Sequence, residues 1–389
     1  MNSADLLINT GAWPRKALIL GIVLVAVSAV FLILNPGQFL QSYLIAFLYC
    51  LGPALGSLAI LMLHQLTGGR WGASVRRPLE SATLTLPMMI IFFIPVLIGT
   101  PYLYVWMDQN VLQKDVILQH KHLYLNFPFF VLRAAIYFAL WNGLAFLFHR
   151  LSMAEDENRT PELESRFQRI SGLGLLLYGL TATFAAIDWI MSLEPHWYST
   201  IYGLLILTGQ VLSGFAFVIA VTILLGKIEP FSRVYSPELL HDLGNLLLAF
   251  VMLWAYLSFS QLLIIWSGNL PEEIPWYVHR LQTGWQTVGI LLLLFHFALP
   301  FVLLLSRFVK KGARTLMGVA IGILVMRWVD LVWLIGPEFH PKSFYIHPLD
   351  LILPLGLLAI WISIYMNQLQ KYPIIPVHDP NLAEVLHHE

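Results

Sequence analysis

The sequence predicts an all-α polytopic membrane protein with ten transmembrane helices, and three observations carry that expectation. Of the 389 residues, 58% are hydrophobic and only 11% are charged, against about 25% charged in an ordinary soluble domain. A globule this apolar has too little charge to cover its own exterior. Stretches of roughly 20 apolar residues, enough to cross about 30 Å of hydrocarbon, recur ten times, and Lys and Arg gather in alternate loops between them.

The first stretch, 18–34, follows Arg15-Lys16 and runs into Asn35-Pro36-Gly37. No small-residue cleavage site follows Leu34 and another span comes at once, so it is expected to stay as a membrane helix rather than act as a signal peptide. The second, 42–64, closes on His64 ahead of Gly68-Gly69, and the third, 82–106, contains Pro87 and Pro95, which membrane helices tolerate. The fourth (127–148) and fifth (170–191) each bury one charge, Arg133 and Asp188. The sixth (203–225) and seventh (243–266) contain no charged residue, which separates them from core helices of soluble proteins. The eighth (283–306) carries His296 and Pro300, the ninth (315–335) Arg327 and Asp330, and the tenth (350–369) opens on Asp350. Spans 1–4 (18–148) and 5–10 (170–369) are divided by 149–169, where Glu155, Asp156, Glu157, Glu162 and Glu164 read as a solvated linker. With flanks at 1–17 and 370–389, the chain 1–389 reads as one integral membrane domain.

Loops rich in Lys and Arg stay in the cytoplasm. With the N-terminal segment inside, the inner segments hold 16 of the 22 basic residues, the outer loops hold four (Lys114, Lys121, Arg280 and Lys342), and Arg133 and Arg327 lie within spans. Both termini are therefore expected to be cytoplasmic. The outer loops are rich in proline and aromatic residues: Glu194-Pro195-His196-Trp197-Tyr198, Asn269 to Tyr277, and Gly336 to Pro341. They suit an interfacial aromatic belt, a docking floor for an extracytoplasmic partner, or both.

Composition excludes several functions. One cysteine, Cys50, is too few for a disulfide framework, a zinc cluster or an iron–sulfur cluster held by this chain alone. Lys and Arg equal Asp and Glu at 22 each, so no surplus of positive charge points to nucleic acid. No helix carries histidines spaced for intramembrane haem. Gly68-Gly69-Arg70-Trp71-Gly72 lacks the Lys-Ser/Thr of a phosphate loop. Electrons, if involved, belong to quinone or to another subunit.

Ionisable residues inside a membrane cost about 2.5–3.5 kcal/mol each at the helix centre on insertion scales, so each is a functional candidate. His64, Glu80, His149, His241 and Asp242 fall toward the inner ends of the spans. Arg133, Asp188, Arg327, Asp330 and Asp350 fall toward the outer half, with His296 near the middle of span eight. Two polar clusters, bridged at the centre by His296, Gln210, Ser258, Ser260 and Gln261, would suit two proton half-channels. Arg327 and Asp330, three apart on one helix face, are equally placed to neutralise each other. Asp188 is placed either to exchange a proton or to pair with Arg133 or Arg327.

Several strings together resemble a known family. Leu79 to Pro87 at the entry to span three, Asp188 to Thr200 (DWIMSLEPHWYST), Asp242 to Leu247 followed by Trp254, Ser258 and Gln261, and Trp266 to Arg280 (WSGNLPEEIPWYVHR) occur in order across most of the chain. They are similar to the polysulfide-reductase-membrane-subunit-like (NrfD-like) integral membrane proteins of bacterial alternative complex III. The resemblance implies two four-helix bundles, spans 2–5 and 6–9, with spans 1 and 10 peripheral, in the cytoplasmic (inner) membrane. It implies a subunit of a quinol:cytochrome c (or other acceptor) oxidoreductase, without a redox cofactor of its own and not catalytic alone, with quinone or quinol nearby. The implied partners are a second NrfD-like membrane subunit, an extracytoplasmic iron–sulfur subunit and c-type cytochrome subunits, the last two carrying iron–sulfur clusters and haem c. Its expected contributions are assembly and proton translocation coupled to quinol oxidation. His64, Glu80, Asp188, His241, Asp242, His296, Arg327 and Asp330 are then the candidate proton-path residues, of which Glu80, Asp188 and Asp242 lie in matched strings. Two alternatives from other classes are a proton-coupled secondary transporter, built around broken helices at the midplane, and a purely structural anchor for redox subunits.

Overall fold

A computed structural model describes residues 7–158 and 160–376, and among them the regular structure is entirely helical. Ten helices are long and apolar enough to cross a membrane: α1 (Trp13–Leu34), α2 (Pro36–Thr67), α3 (Arg70–Ile98), α4 (Phe127–Glu157), α5 (Pro161–Trp189), α6 (Tyr202–Leu225), α7 (Pro237–Gly268), α8 (Gln286–Leu305), α9 (Ala313–Phe339) and α10 (Leu349–Leu369). Each of the ten predicted spans falls on one of them. The chain is a multi-pass membrane protein.

Local chemistry sets the helix ends. Asn35, Asn126, Thr160 and Ser236 each accept a hydrogen bond from a backbone N–H three residues on, at 3.0–3.2 Å, and each is followed within two residues by proline. That combination starts a helix, because the side chain satisfies one orphan N–H and proline has none to lose. At its far end α7 stops on Asn269, whose φ of 50° gives the left-handed turn that terminates helices. Two helices are broken within their length. α3 divides at Leu84 and Thr85, where Pro87 has no N–H to donate to the Thr83 carbonyl. In α8 the residues Leu292–Ala298 form a π-helix that passes into Leu299-Pro300, and Pro300 likewise leaves the His296 carbonyl without its usual partner.

Two predicted boundaries are corrected. The third helix begins at Arg70, not 82, and ends at Ile98, because Arg76, Arg77 and Glu80 neutralise one another and become buried with it. The segment 149–169 is not a solvated linker along its length. α4 continues to Glu157 and α5 begins at Pro161, while Glu155 and Asp156 turn inward onto Arg76 and Arg77. Arg159 lies outside the described residues, as do 1–6 and 377–389 of the two predicted flanks.

Helices α2–α5 pack as one four-helix bundle and α6–α9 as a second, joined along α2 and α6. At that seam the backbones nearly touch. A Cβ on Gly56 would overlap the Gln210 carbonyl oxygen, and one on Gly214 would press on the Gly56 backbone. Small residues permit such approach where lipid offers no hydrophobic drive between helices. α10 lies against α2 and α3, with Trp361 fully buried and donating to Thr85 Oγ1 at 2.8 Å at the break in α3. α1 packs mainly on α10 and is the peripheral helix. The Gln370 side chain donates to Thr10, which puts the two ends of the described chain on one side. That side carries Arg70, Arg150, Arg307 and Lys311 and is the basic end; the loops rich in Trp and Pro form the aromatic end.

Gly56→Ala should destabilise the fold by about 1–3 kcal/mol or more through overpacking. Gly143→Ala, where a Cβ meets nothing within 4 Å, should leave stability nearly unchanged. Thermal unfolding of both variants in the same lipid discs measures the difference, and equal losses would remove the close seam as its cause.

Candidate functional site

Within the first bundle, Arg133 of α4 and Asp188 of α5 form a two-pronged ion pair, Nε to Oδ2 at 2.8 Å and Nη2 to Oδ1 at 2.9 Å. Tyr137 donates a third bond to Asp188 Oδ2 at 2.7 Å, and Arg133 Nη1 donates to the Tyr124 carbonyl at 2.8 Å. The guanidinium lies 3.9 Å from the Tyr124 ring and 4.4 Å from Phe129. Asp188 is 1% exposed. A planar fork matched to a carboxylate in this way holds geometry as well as charge. Of the two partners open to Asp188 in the sequence, the fold selects Arg133.

In the second bundle the pair is local. Arg327 donates to Asp330 one turn further along α9, and both are buried. A Cβ on Gly209 of α6 would overlap the Arg327 guanidinium, so glycine there lets the arginine lie across α6. His296 projects from the π-helical segment of α8 and is fully buried, 4.1 Å from the Trp254 ring. Neither ring nitrogen has a hydrogen-bond partner in the protein. Single π-turns are frequent at functional positions.

At the basic end Glu80 receives Arg76 at 3.0 Å and Arg77 at 2.6 Å, with Ser152 donating to it as well. Arg76 also meets Glu155 at 2.7 Å and Arg77 meets Asp156. His64, 4% exposed, has its Nε2 3.0 Å from the Gly69 carbonyl and Trp71 against its ring. His241 and Asp242 stand apart from these groups, in the first turns of α7, with the Asp242 side chain 53% exposed. The central neutral groups are also distributed: Gln210 accepts from Tyr178 at 2.8 Å, whereas Gln261 sits at the aromatic end with Ser199 and Tyr277.

A further cluster was not legible as a site in the sequence. Arg280 of the short helix Pro275–Gln282 is fully buried, stacked 3.6 Å from Trp276, and donates to the Trp276 and Leu334 carbonyls and to Glu338 at 2.8 Å. Glu194, from the loop after α5, faces Glu338 there. Burial pushes the Glu194 carboxyl up to about 8, the neighbouring Glu338 adds to the rise, and Arg280 opposes it. The loop after α5, the short helix Pro275–Gln282 and the end of α9 thus meet at one arginine. The only hint in the sequence was their shared richness in Trp and Pro.

Buried or partly buried ionisable groups thus stand at three levels: Glu80 and His64 toward the basic end, His296 with Arg327–Asp330 between, and Asp188 with Glu194 toward the aromatic end. Among the described residues no group of His, Cys, Asp and Glu is placed to hold a metal ion. No family model matches this chain, and no curated protein is similar enough to count as a relative.

Between the ordinary carboxyl value of 4.5 and about 8, the folded protein keeps a proton at Glu194 that the unfolded chain has released. Stability from this group is therefore complete below that window and falls as pH rises through it. Glu194→Gln should flatten that part of a thermal-stability profile; an unchanged slope would exclude Glu194 as its source. Asp188→Asn should cost about 3–5 kcal/mol by leaving Arg133 buried beside a neutral partner. Arg133→Met combined with Asp188→Leu should recover most of that loss, and a double variant no more stable than the single one would contradict the charge explanation.

Proposed function

We propose that this chain is an integral membrane subunit of a bacterial quinol:acceptor oxidoreductase of the alternative complex III type, anchoring redox partners and moving protons across the bundle. In this reading the basic end and both termini face the cytoplasm, in keeping with the positive-inside rule. The aromatic end receives an extracytoplasmic iron–sulfur subunit and c-type cytochromes, and a second NrfD-like subunit lies alongside in the membrane. Haem c and iron–sulfur clusters belong to those partners, and quinol is oxidised beside this chain rather than by groups of its own.

The observation that carries the proton-moving part is His296. A fully buried imidazole with both nitrogens unpartnered, on a π-turn beside a buried Arg–Asp pair, is costly as mere packing. An imidazole that exchanges protons with transient water gives it a use. The order of strings along the sequence carries the family part. The structural-anchor reading draws support from Asp188, whose three side-chain bonds suit a fixed strut.

Purification of the native protein in mild detergent should bring haem and iron–sulfur absorbance with it, together with quinol-dependent electron transfer. A chain that purifies alone and without that activity defeats the oxidoreductase assignment. Within such a complex, His296→Phe keeps the ring volume and removes the proton carrier, so protons moved per electron should drop while assembly persists. An unchanged ratio would leave the anchor role standing alone.

A further inference from the structure

Where the two bundles meet, at the depth of Arg327, lies a cavity of about 20 Å³ walled by Tyr49 and Gly52 of α2, Gln210 and Ser213 of α6 and Arg327 of α9. A single water needs roughly 10–15 Å³ of such space and two to four polar partners. The lining residues carry such partners. Arg327 is 4% exposed; it spends Nη1 on Asp330, while its Nε–H is buried and has no partner in the protein. Ser213 donates to the Gly209 carbonyl at 2.8 Å and Tyr49 to the Leu324 carbonyl at 3.1 Å, so both hydroxyl oxygens still have lone pairs to accept with. Gln210, in the same wall, is bonded to Tyr178 of α5.

We propose that this cavity is a single-water site, in which the water accepts from Arg327 Nε and donates to the Ser213 and Tyr49 hydroxyl oxygens. The water joins the Arg327–Asp330 pair of the second bundle to α2 of the first, beside the Tyr49–Leu324 and Tyr178–Gln210 bonds that also cross the seam. It gives the buried Arg327 Nε–H an acceptor, and it accounts for glycine at position 52. A methyl there would lie 3.3 Å from Ser213 Oγ and 3.4 Å from its Cβ, inside the space the water takes. As a link in proton movement the water receives one proton as it yields another and remains water. That role rests on the proton-moving reading above, whereas the water itself does not.

The test uses the full chain in discs of phosphatidylethanolamine and phosphatidylglycerol, read by infrared difference spectra between ordinary and ¹⁸O-labelled water. The parent should show an isotope-shifted band from a confined water, and Gly52→Ala should abolish it by filling the space. Ser213→Ala, which removes an acceptor and adds no volume, should shift or abolish the same band and covers the case in which Gly52→Ala fails to fold. No such band in the parent, or a band untouched by both substitutions, overturns the proposal. In the assembled complex, Gly52→Ala should lower protons moved per electron while quinol oxidation continues; an unchanged ratio after loss of the band overturns the link and leaves the water. A parent complex without quinol-dependent electron transfer would defeat the proposed function alone, since the infrared result needs no electron donor.

Discussion

The organising constraint is the cost of placing charge in a low-dielectric bundle. Removing one ion from water is worth several kcal/mol even after relaxation, so a buried arginine persists only where a carboxylate and further hydrogen bonds meet it. Most of these pairs tie separate elements together. Arg133 binds α4 to α5, Arg76 and Arg77 bind α3 to the end of α4, and Arg280 binds a short outer helix to α9. Arg327 and Asp330, like Glu80 with its two arginines, pair within one helix, and the Arg327 guanidinium lies against Gly209 of α6.

Around these pairs the apolar packing is permissive in most places and strict in one. Many large hydrophobic side chains on α1, α4, α7 and α8 face outward, as a lipid-exposed surface demands. The seam between α2 and α6 allows no such latitude, since Gly56 and Gly214 let backbone meet backbone. Strict packing and the seam cavity lie on the same pair of helices.

Legibility varied with how local the cause was. The spans could be read because hydropathy over about 20 residues is a local sum. The Arg327–Asp330 pair was legible for the same reason, lying one turn apart. Glu155 and Asp156 misled: surrounded by other acids they resembled a solvated run, and only the approach of α3 gave them buried arginines. Arg280, Glu194 and Glu338 lie far apart along the chain, so their meeting left no spacing to detect.

That this chain lives in lipid, how many times it crosses and where its buried charges fall along each helix can be read from residues alone, because all three follow from composition and short-range order. The tertiary structure alone decided which carboxylate answers which arginine, that His296 stands on a π-turn without partners, and that a water-sized space lies beside Arg327. Those depend on which helix faces coincide. Coincidence of faces is set by contacts between residues up to hundreds of positions apart, such as Ser42 with Asp350 or Thr85 with Trp361, and no window along the sequence contains both members.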